Sequence, residues 1–490
     1  MTTEEEIAAR RSEPWREELR KSKKNKERTE IPRVKMNELD PEYRSHTRLE
    51  EVNLGLTKEQ AMQEAQRCLD CPNPSCMTGC PVSIQIPTFV KNIERGNFLE
   101  AAKTLKETSA LPAVCGRVCP QEKQCESQCI HLKMGKQAVA IGYLERFAAD
   151  YERESGQISV PEIPEKNGIK VAVVGSGPSG LSFAGDMAKR GYDVQVFEAL
   201  HEIGGVLKYG IPEFRLPNHI VDVEIDGLKK MGVKFMTDCI IGKTLSYEDL
   251  HEYGFKGIFV GSGAGLPNFM NIPGENLIGV MSSNEYLTRV NLMDAANPES
   301  DTPVLKGNVV AVIGGGNTAM DSVRTAKRLG ASRAMIVYRR SEEEMPARLE
   351  EVKHAKEEGI EFHTLHNPIE YIGDDKGHVK QMRLQCMELG EPDASGRRRP
   401  VPIEGKIVTI DVDEVIVSIG VSPNPLIPHT FQGLDITKKG TIVVNENLES
   451  SVPDVFAGGD IVRGGATVIL AMGDGRKAAA SMDEYLKSKK

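Results

Sequence analysis

Ile169-Lys-Val-Ala-Val-Val-Gly175-Ser-Gly177-Pro-Ser-Gly180-Leu181 reads as an apolar strand, a glycine turn and the start of a helix. In such a turn Gly175 permits the tight reversal, Gly177 lets the backbone approach a pyrophosphate, and Gly180 lets the helix pack on the strand. The helix N-terminus, with its unpaired amides, then faces the phosphates. A second apolar strand, from Asp193, closes on Glu198 about 20 residues beyond the turn, where an acid binds ribose hydroxyls. A lone glycine turn is weak evidence. Strand, helix and acid, each in its place, together indicate a dinucleotide site.

The pattern recurs in Asn308-Val-Val-Ala-Val-Ile-Gly314-Gly-Gly316-Asn-Thr-Ala319-Met-Asp. It again follows an apolar strand and opens a helix, predicted through about Leu329, with alanine in place of the third glycine. The next strand, from Arg333, ends in Arg339 and Arg340 where an acid would stand for NAD. Arginine there accommodates a 2′-phosphate, so the expected cofactor is NADPH. Two dinucleotide sites in one chain point to a flavin enzyme fed by a nicotinamide. The C-terminal stretch fits: an apolar strand from Asp413 ends in Gly420, then come Asp454-Val-Phe-Ala-Gly458-Gly459-Asp460 and a small-residue helix from Thr467 to Ala480. This is similar to the closing part of a two-dinucleotide-domain flavoprotein. There the aspartate matching Asp460 holds the ribityl or pyrophosphate side of FAD, and the following helix aims its N-terminus at the flavin ring.

The other signal is cysteine: ten are present, eight of them between Cys68 and Cys129. The first run is Cys68-Leu-Asp-Cys71-Pro-Asn-Pro-Ser-Cys76-Met-Thr-Gly-Cys80-Pro81; the second is Cys115, Cys119-Pro120, Cys125 and Cys129. A disulfide framework needs an oxidising compartment, and nothing here points to export. Structural zinc fits paired cysteines. Iron–sulfur clusters fit best, because close-spaced thiolates with proline after the last ligand resemble bacterial ferredoxin runs, in which the last cysteine of one run serves the other cluster. Apolar spacing predicts helices over 88–105 and 138–149, so that residues 46–160 form a compact helical domain around metal. Cys239 and Cys386 stand alone and read as small buried hydrophobes. No redox cysteine pair stands beside either glycine turn, so electrons are expected to leave the flavin through the clusters.

The 490 residues carry a net charge of −9, with 39% hydrophobic and 27% charged residues. An acidic balance argues against nucleic acid as a partner. No apolar run approaches the roughly 18 residues of a membrane span, and the charged N-terminus is no signal peptide, so a cytoplasmic protein is expected. Residues 1–45 form a charged extension with a basic run from Arg20 to Arg28. Such a run reads as a solvated tail, or more sharply as a docking arm for an acidic partner.

Together the cysteine block, VAVVGSGPSGL, the stretch from Gly204 to Pro217, VIGGGNTAMD and FAGGD are similar to the small (β) subunit of NADPH-dependent glutamate synthase. The same module resembles the large subunit of NADH-dependent ferredoxin:NADP oxidoreductase and the N-terminal half of dihydropyrimidine dehydrogenase. The resemblance implies an α/β chain with two Rossmann-like domains, the FAD domain (161–290 and 411–490) split by an inserted NADPH domain (291–410), after a helical domain with two 4Fe-4S clusters. It implies that Cys68, Cys71, Cys76 and Cys129 ligate the first cluster. Cys80, Cys119 and Cys125, with Glu145, ligate the second, leaving Cys115 a non-ligand. Within the quoted motifs the cofactor-contacting positions are Gly175, Gly177, Pro178, Ser179, Gly180, Glu198, Gly205, Leu207 and Arg215. In the second half they are Gly314, Gly316, Asn317, Thr318, Ala319, Arg339, Arg340, Gly420, Gly459, Asp460 and Thr467, with Asp474 near the ring. No acid–base catalyst is expected.

The implied activity is electron transfer from NADPH through FAD and the clusters to a partner subunit. That partner is the glutamate synthase large subunit or, in a bifurcating enzyme, a small flavin/2Fe–2S subunit with ferredoxin. A non-enzymatic zinc-bearing scaffold is the reading of another class. The large subunit of the family hydrolyses glutamine with an N-terminal cysteine. Residue 2 here is Thr2 and no amidotransferase-sized domain remains unassigned, so that chemistry is expected in another chain.

Overall fold

The computed structural model describes residues 3–489. Two five-stranded parallel sheets dominate it. In the first the order is Val455–Ala457, Phe255–Val260, Lys170–Val174, Asp193–Phe197 and Lys234–Met236. In the second it is Glu361–Thr364, Arg333–Tyr338, Val309–Ile313, Glu414–Val417 and Val280–Ser282. The central strands are almost unbroken apolar runs, as burial on both faces requires. The second sheet has helices on one face and, on the other, an antiparallel meander of His366–Gly373, Val379–Pro392 and Arg398–Asp411.

Sheet membership moves the expected domain boundaries. Val280–Ser282 and Glu414–Val417 fall on the flavin side of boundaries at 290 and 411, yet both hydrogen-bond within the second sheet. Glu414–Val417 pairs in register with Val309–Ile313, a site only a buried apolar strand fills. The chain therefore crosses between the sheets at an antiparallel pair, Leu266–Pro267 against Val421–Ser422.

The cysteine block lies in a helical layer built from Lys58–Gln66, Ile86–Glu94, Phe98–Lys106, Pro112–Val118 and Ile141–Ser155. The single helix expected over 88–105 is two, because Gly96 adopts φ +78 and its amide caps Ile93, which ends the first. The layer has no separate core. Phe89, Leu105, Val114 and Leu144 share one apolar cluster with Val171, Phe183, Leu228 and Met482 of the first sheet and its helices.

The N-terminal extension is not a solvated tail. Helices Glu4–Arg11, Pro14–Ser22 and Asn25–Glu30 lie on this layer, and Arg16, Arg28 and Arg44 are at most 2% exposed. Each buried guanidinium meets a carboxylate: Arg16 meets Asp70, Arg28 meets Glu94 at 2.8 Å, and Arg44 reaches Glu358 at 3.1 Å in the nicotinamide half. A buried charge is tolerable only when so paired. Lys21, Lys24 and Lys26 of the basic run stay exposed. Among the described residues no helix is long and apolar enough to cross a membrane.

Candidate functional site

At the first glycine turn the three glycines differ in what surrounds them. Gly175 has φ +98, and a Cβ there would lie 2.7 Å from the Gly261 carbonyl oxygen. At Gly180 a Cβ would overlap the Gly175 carbonyl, so close helix–strand packing requires glycine. At Gly177 a Cβ would meet no protein atom within 4 Å. The glycine there leaves room above the turn for a ligand rather than for the fold. Pro178 begins the helix Pro178–Ala188, where its missing N–H costs nothing, and the buried Ser179 hydroxyl beside it has no hydrogen-bond partner. An open cradle and an orphaned buried donor at a helix N-terminus fit a pyrophosphate. Gly205 closes over the turn, its own Cβ position 2.9 Å from Gly177 Cα, and starts a short helix carrying the buried Leu207. Glu198 is already engaged: Oε2 accepts from Ser176 N at 2.9 Å and Oγ at 2.6 Å, and Oε1 accepts from Leu200 N at 2.9 Å. Its carboxylate shapes the turn, and only its remaining lone pairs are left for a ribose.

The second turn repeats the design. A Cβ at Gly314 would overlap the Ser418 carbonyl, whereas one at Gly316 would touch only Pro346 Cγ at 3.9 Å. Ala319 is fully buried against the strand, and Thr318 sits in the first turn of Asn317–Arg328. Asn317 Oδ1 accepts from Arg348 N at 2.9 Å, tying the helix start to the following loop. The two arginines differ. Arg339 is exposed, while Arg340 is 6% exposed and paired with Asp393 at 2.6 Å.

Arg215 is not brought to either turn. It is buried, donates to both oxygens of Asp321 at 2.6 Å, and lies 3.0 Å from Glu351. It ties the flavin half to two helices of the nicotinamide half. Arg215→Ala leaves those carboxylates buried and less compensated, which is expected to cost about 3–5 kcal/mol. The check is the denaturation midpoint, and an unchanged midpoint contradicts the tie.

The seam between flavin turn and cysteines runs along the helix Val468–Ser488. Thr467 caps it, accepting from Leu470 N at 3.4 Å and from Gln124 of the second cysteine run at 3.4 Å. A Cβ at Gly473 would stand 2.9 Å from the carbonyl of Pro81, the residue after Cys80. Met472 Sδ lies 3.5 Å from Cys115 Sγ. At Gly475 a Cβ would overlap the carbonyl of Ser179, so one helical turn touches both sites. Asp474, whose role the sequence leaves open, accepts from Gly459 N at 2.9 Å and from Arg463 at 2.7 and 2.6 Å. It holds Gly459, at φ +79, beside Asp460, whose Oδ1 accepts from Ala466 N at 3.1 Å and whose carboxyl burial raises to about 6. Gly420, at φ +105, lies just before the strand pair that joins the sheets.

The cysteines form two groups. Cys68, Cys71, Cys76 and Cys129 line one recess with Ile86, Val90 and His131. Burial pushes the Cys68 thiol up to about 11 and holds Cys76 high as well. In the second group burial pushes Cys80 up to about 12, and the charges of Glu145 and Cys119 add to it. Cys125 is raised by burial and by Glu126, Cys80, Glu145 and Cys119. Glu145 is buried to the same degree, its carboxyl is pushed up to about 8 by burial and by Glu224, and its Oε1 has no partner. Buried thiols and a carboxyl gathered at one point, with Arg348 the cation acting on Cys119, fit a cationic centre that would draw off their protons. A single tetrahedral zinc would hold sulfurs about 3.8 Å apart, from a bond of about 2.3 Å. Among the described residues no three cysteine sulfurs lie mutually within 4.8 Å, a wider spacing than that.

The fold and these sites define a class: a two-dinucleotide-domain oxidoreductase with an iron–sulfur domain in front. Residues 44–157 match the family described as dihydropyrimidine dehydrogenase domain II, 4Fe-4S cluster, and residues 169–475 match pyridine nucleotide-disulphide oxidoreductase. The chain is 36% identical over 434 residues to the glutamate synthase [NADPH] small chain of Halomonas elongata, covering 87% of this chain and 91% of that one. It is 38% identical to the NADP(+)-dependent formate dehydrogenase subunit beta of Moorella thermoacetica, over 84% of this chain and 60% of that one. A solved structure of FprA from Mycobacterium tuberculosis aligns with TM-score 0.56 at 20% identity, over 65% of this chain and 85% of that one, which bears on the fold alone.

The chain belongs to the family of the NADPH glutamate synthase small chain, within the pyridine nucleotide-disulphide oxidoreductases. It is an NADPH-linked oxidoreductase whose cofactors are FAD, NADPH and two 4Fe-4S clusters.

Proposed function

We propose that this chain is the cytoplasmic NADPH-oxidising subunit of a glutamate-synthase-type enzyme, handing electrons to a large partner chain that makes glutamate. The observation that carries the route is the helical turn Met472–Gly475, which touches Ser179 on one side and Pro81 and Cys115 on the other. Bound here, a nicotinamide would supply hydride chemistry, a flavin would supply conversion between electron pairs and single electrons, and clusters would supply single-electron carriage. The residues do the rest. Gly177 and Ser179 receive the pyrophosphate of FAD, and Asp474, through Gly459, aims Asp460 at the ribityl side. Gly316 and Thr318 receive the pyrophosphate of NADPH, and Arg339 takes its 2′-phosphate. Cys80, Cys119, Cys125 and Glu145 hold the cluster next to the flavin helix. Cys68, Cys71, Cys76 and Cys129 hold the outer one, beneath the N-terminal helices. Phe183 and Phe259, both fully buried, stack with ring centroids 4.3 Å apart in the core of the same half.

The test is an anaerobic NADPH titration of the purified chain, followed by acceptor screening and identification of the co-purifying partner. Flavin bleaching followed by cluster reduction is expected, with a very large FMN-bearing partner. A small flavin and 2Fe–2S partner with ferredoxin reduction overturns the glutamate synthase reading in favour of bifurcation. Zinc without iron overturns both.

A further inference from the structure

Asp70 lies between Cys68 and Cys71, is fully buried, and adopts φ +52, a left-handed backbone uncommon outside glycine that aspartate enters more readily than most residues. Its surroundings come from the N-terminal extension. Arg16 reaches from helix Pro14–Ser22 to both Asp70 carboxylate oxygens, and Arg20 Nη1 lies 2.6 Å from Oδ2. Arg11 Nε donates to the Asp70 carbonyl at 2.8 Å, and Arg20 also donates to the Arg11 carbonyl at 2.8 Å, joining the first two N-terminal helices at one point. Arg16 further donates to Thr88 Oγ1 at 3.0 Å, on the helix behind the recess. Trp15 is locked beside it, with the Arg95 guanidinium 3.7 Å from its ring centroid. Two adjacent loop contacts follow the same pattern, with Lys91 donating to the Cys68 carbonyl at 2.6 Å and Arg28 to the Gln66 carbonyl at 2.7 Å.

We propose that Arg16 and Arg20 are positioning residues for the first cluster: by clamping the buried Asp70 they hold the Cys68–Cys71 loop in the left-handed kink that turns both thiols into the shared recess. The inference rests on reading Cys68, Cys71, Cys76 and Cys129 as ligands of that cluster. A paired, hydrogen-bonded charge of this kind orients a loop because either partner alone is costly to bury. Outer-shell partners of metal ligands change metal affinity by roughly 10–100-fold when lost. The clamp also explains why a segment rich in lysine and arginine folds onto its own chain.

The experiment uses the full chain, reconstituted anaerobically, with iron content, per-cluster EPR and the rate of iron loss to a chelator as readouts. Arg16→Ala/Arg20→Ala is expected to speed loss of the first cluster at least roughly 10-fold, while flavin content and the second cluster's signal stay as in the parent. Adding Asp70→Gly is expected to restore retention, because glycine takes φ +52 freely and leaves no unpaired carboxylate. Should the double variant fail to fold, Arg20→Ala alone, at a half-buried side chain, reads the same rate. A double variant that keeps both clusters at the parental rate, while Cys71→Ala loses one, overturns the clamp and leaves the ligand reading standing. Loss that Asp70→Gly does not restore also overturns it, showing general damage. Two clusters retained in Cys71→Ala overturn the ligand reading itself.

Discussion

Cys119→Ala is expected to halve the iron, from about eight to about four atoms per chain, with the loss confined to one EPR signal. Cys119 is buried and its thiol is held high by its hydrogen bond with Cys115, then by burial and by the charges of Cys115 and Glu145. It is a thiolate only when a cation is there to stabilise it. The same reasoning separates its neighbours. Cys115→Ala leaves the iron count unchanged, because that thiol packs on Met472 rather than belonging to the proposed ligand set. Glu145→Ala behaves like Cys119→Ala, whereas Glu145→Gln keeps the cluster, since an amide oxygen still presents a ligand where the orphaned Oε1 now stands. Iron analysis and EPR of the four variants decide the matter. A Glu145→Ala protein with two intact clusters removes Glu145 from the ligand set. Because the helical layer shares its core with the first sheet, loss of one cluster is expected to loosen that layer without unfolding the dinucleotide domains.

Arg339→Ala is expected to lower kcat/KM for NADPH by roughly 10- to 100-fold, the value of one charge-assisted hydrogen bond, and to leave NADH almost untouched. The sequence alone makes Arg339 and Arg340 equivalent. The structure does not: Asp393 already occupies Arg340, while Arg339 is exposed just past its strand, with no carboxylate partner among the described residues. Arg340→Ala should therefore have the smaller effect on cofactor choice. Kinetics with both cofactors test this, and equal weakening of NADPH and NADH by Arg339→Ala sinks the assignment.

Much of the site was legible because local chemistry wrote it. The glycines of each turn answer to backbone contacts within a few residues or across one strand, so Gly175, Gly180 and Gly314 could be read from spacing. The close-spaced cysteines likewise announced metal. What spacing could not show was where charges would find partners. Arg215 meets Asp321 106 positions away, and Arg44 meets Glu358 314 positions away. Asp70 carries no sequence mark of its left-handed backbone. Asp474 could have been flagged by the small residues on either side of it, Gly473 and Gly475, yet its grip on Gly459 could not.

By itself, then, the amino-acid sequence determined two parallel dinucleotide units, their order, and a thiol-rich layer before them, because hydrophobic runs, glycine turns and ligand spacing act over short range. Tertiary structure alone decided which strands close each sheet, which of two adjacent arginines is paired with Asp393, and that Arg16, Arg28 and Arg44 of the N-terminal extension fold inward. Those outcomes depend on long-range pairing of buried charges and strands. Such pairing has no local signature, because the cost of burying an unpaired charge is felt only once the chain has folded around it.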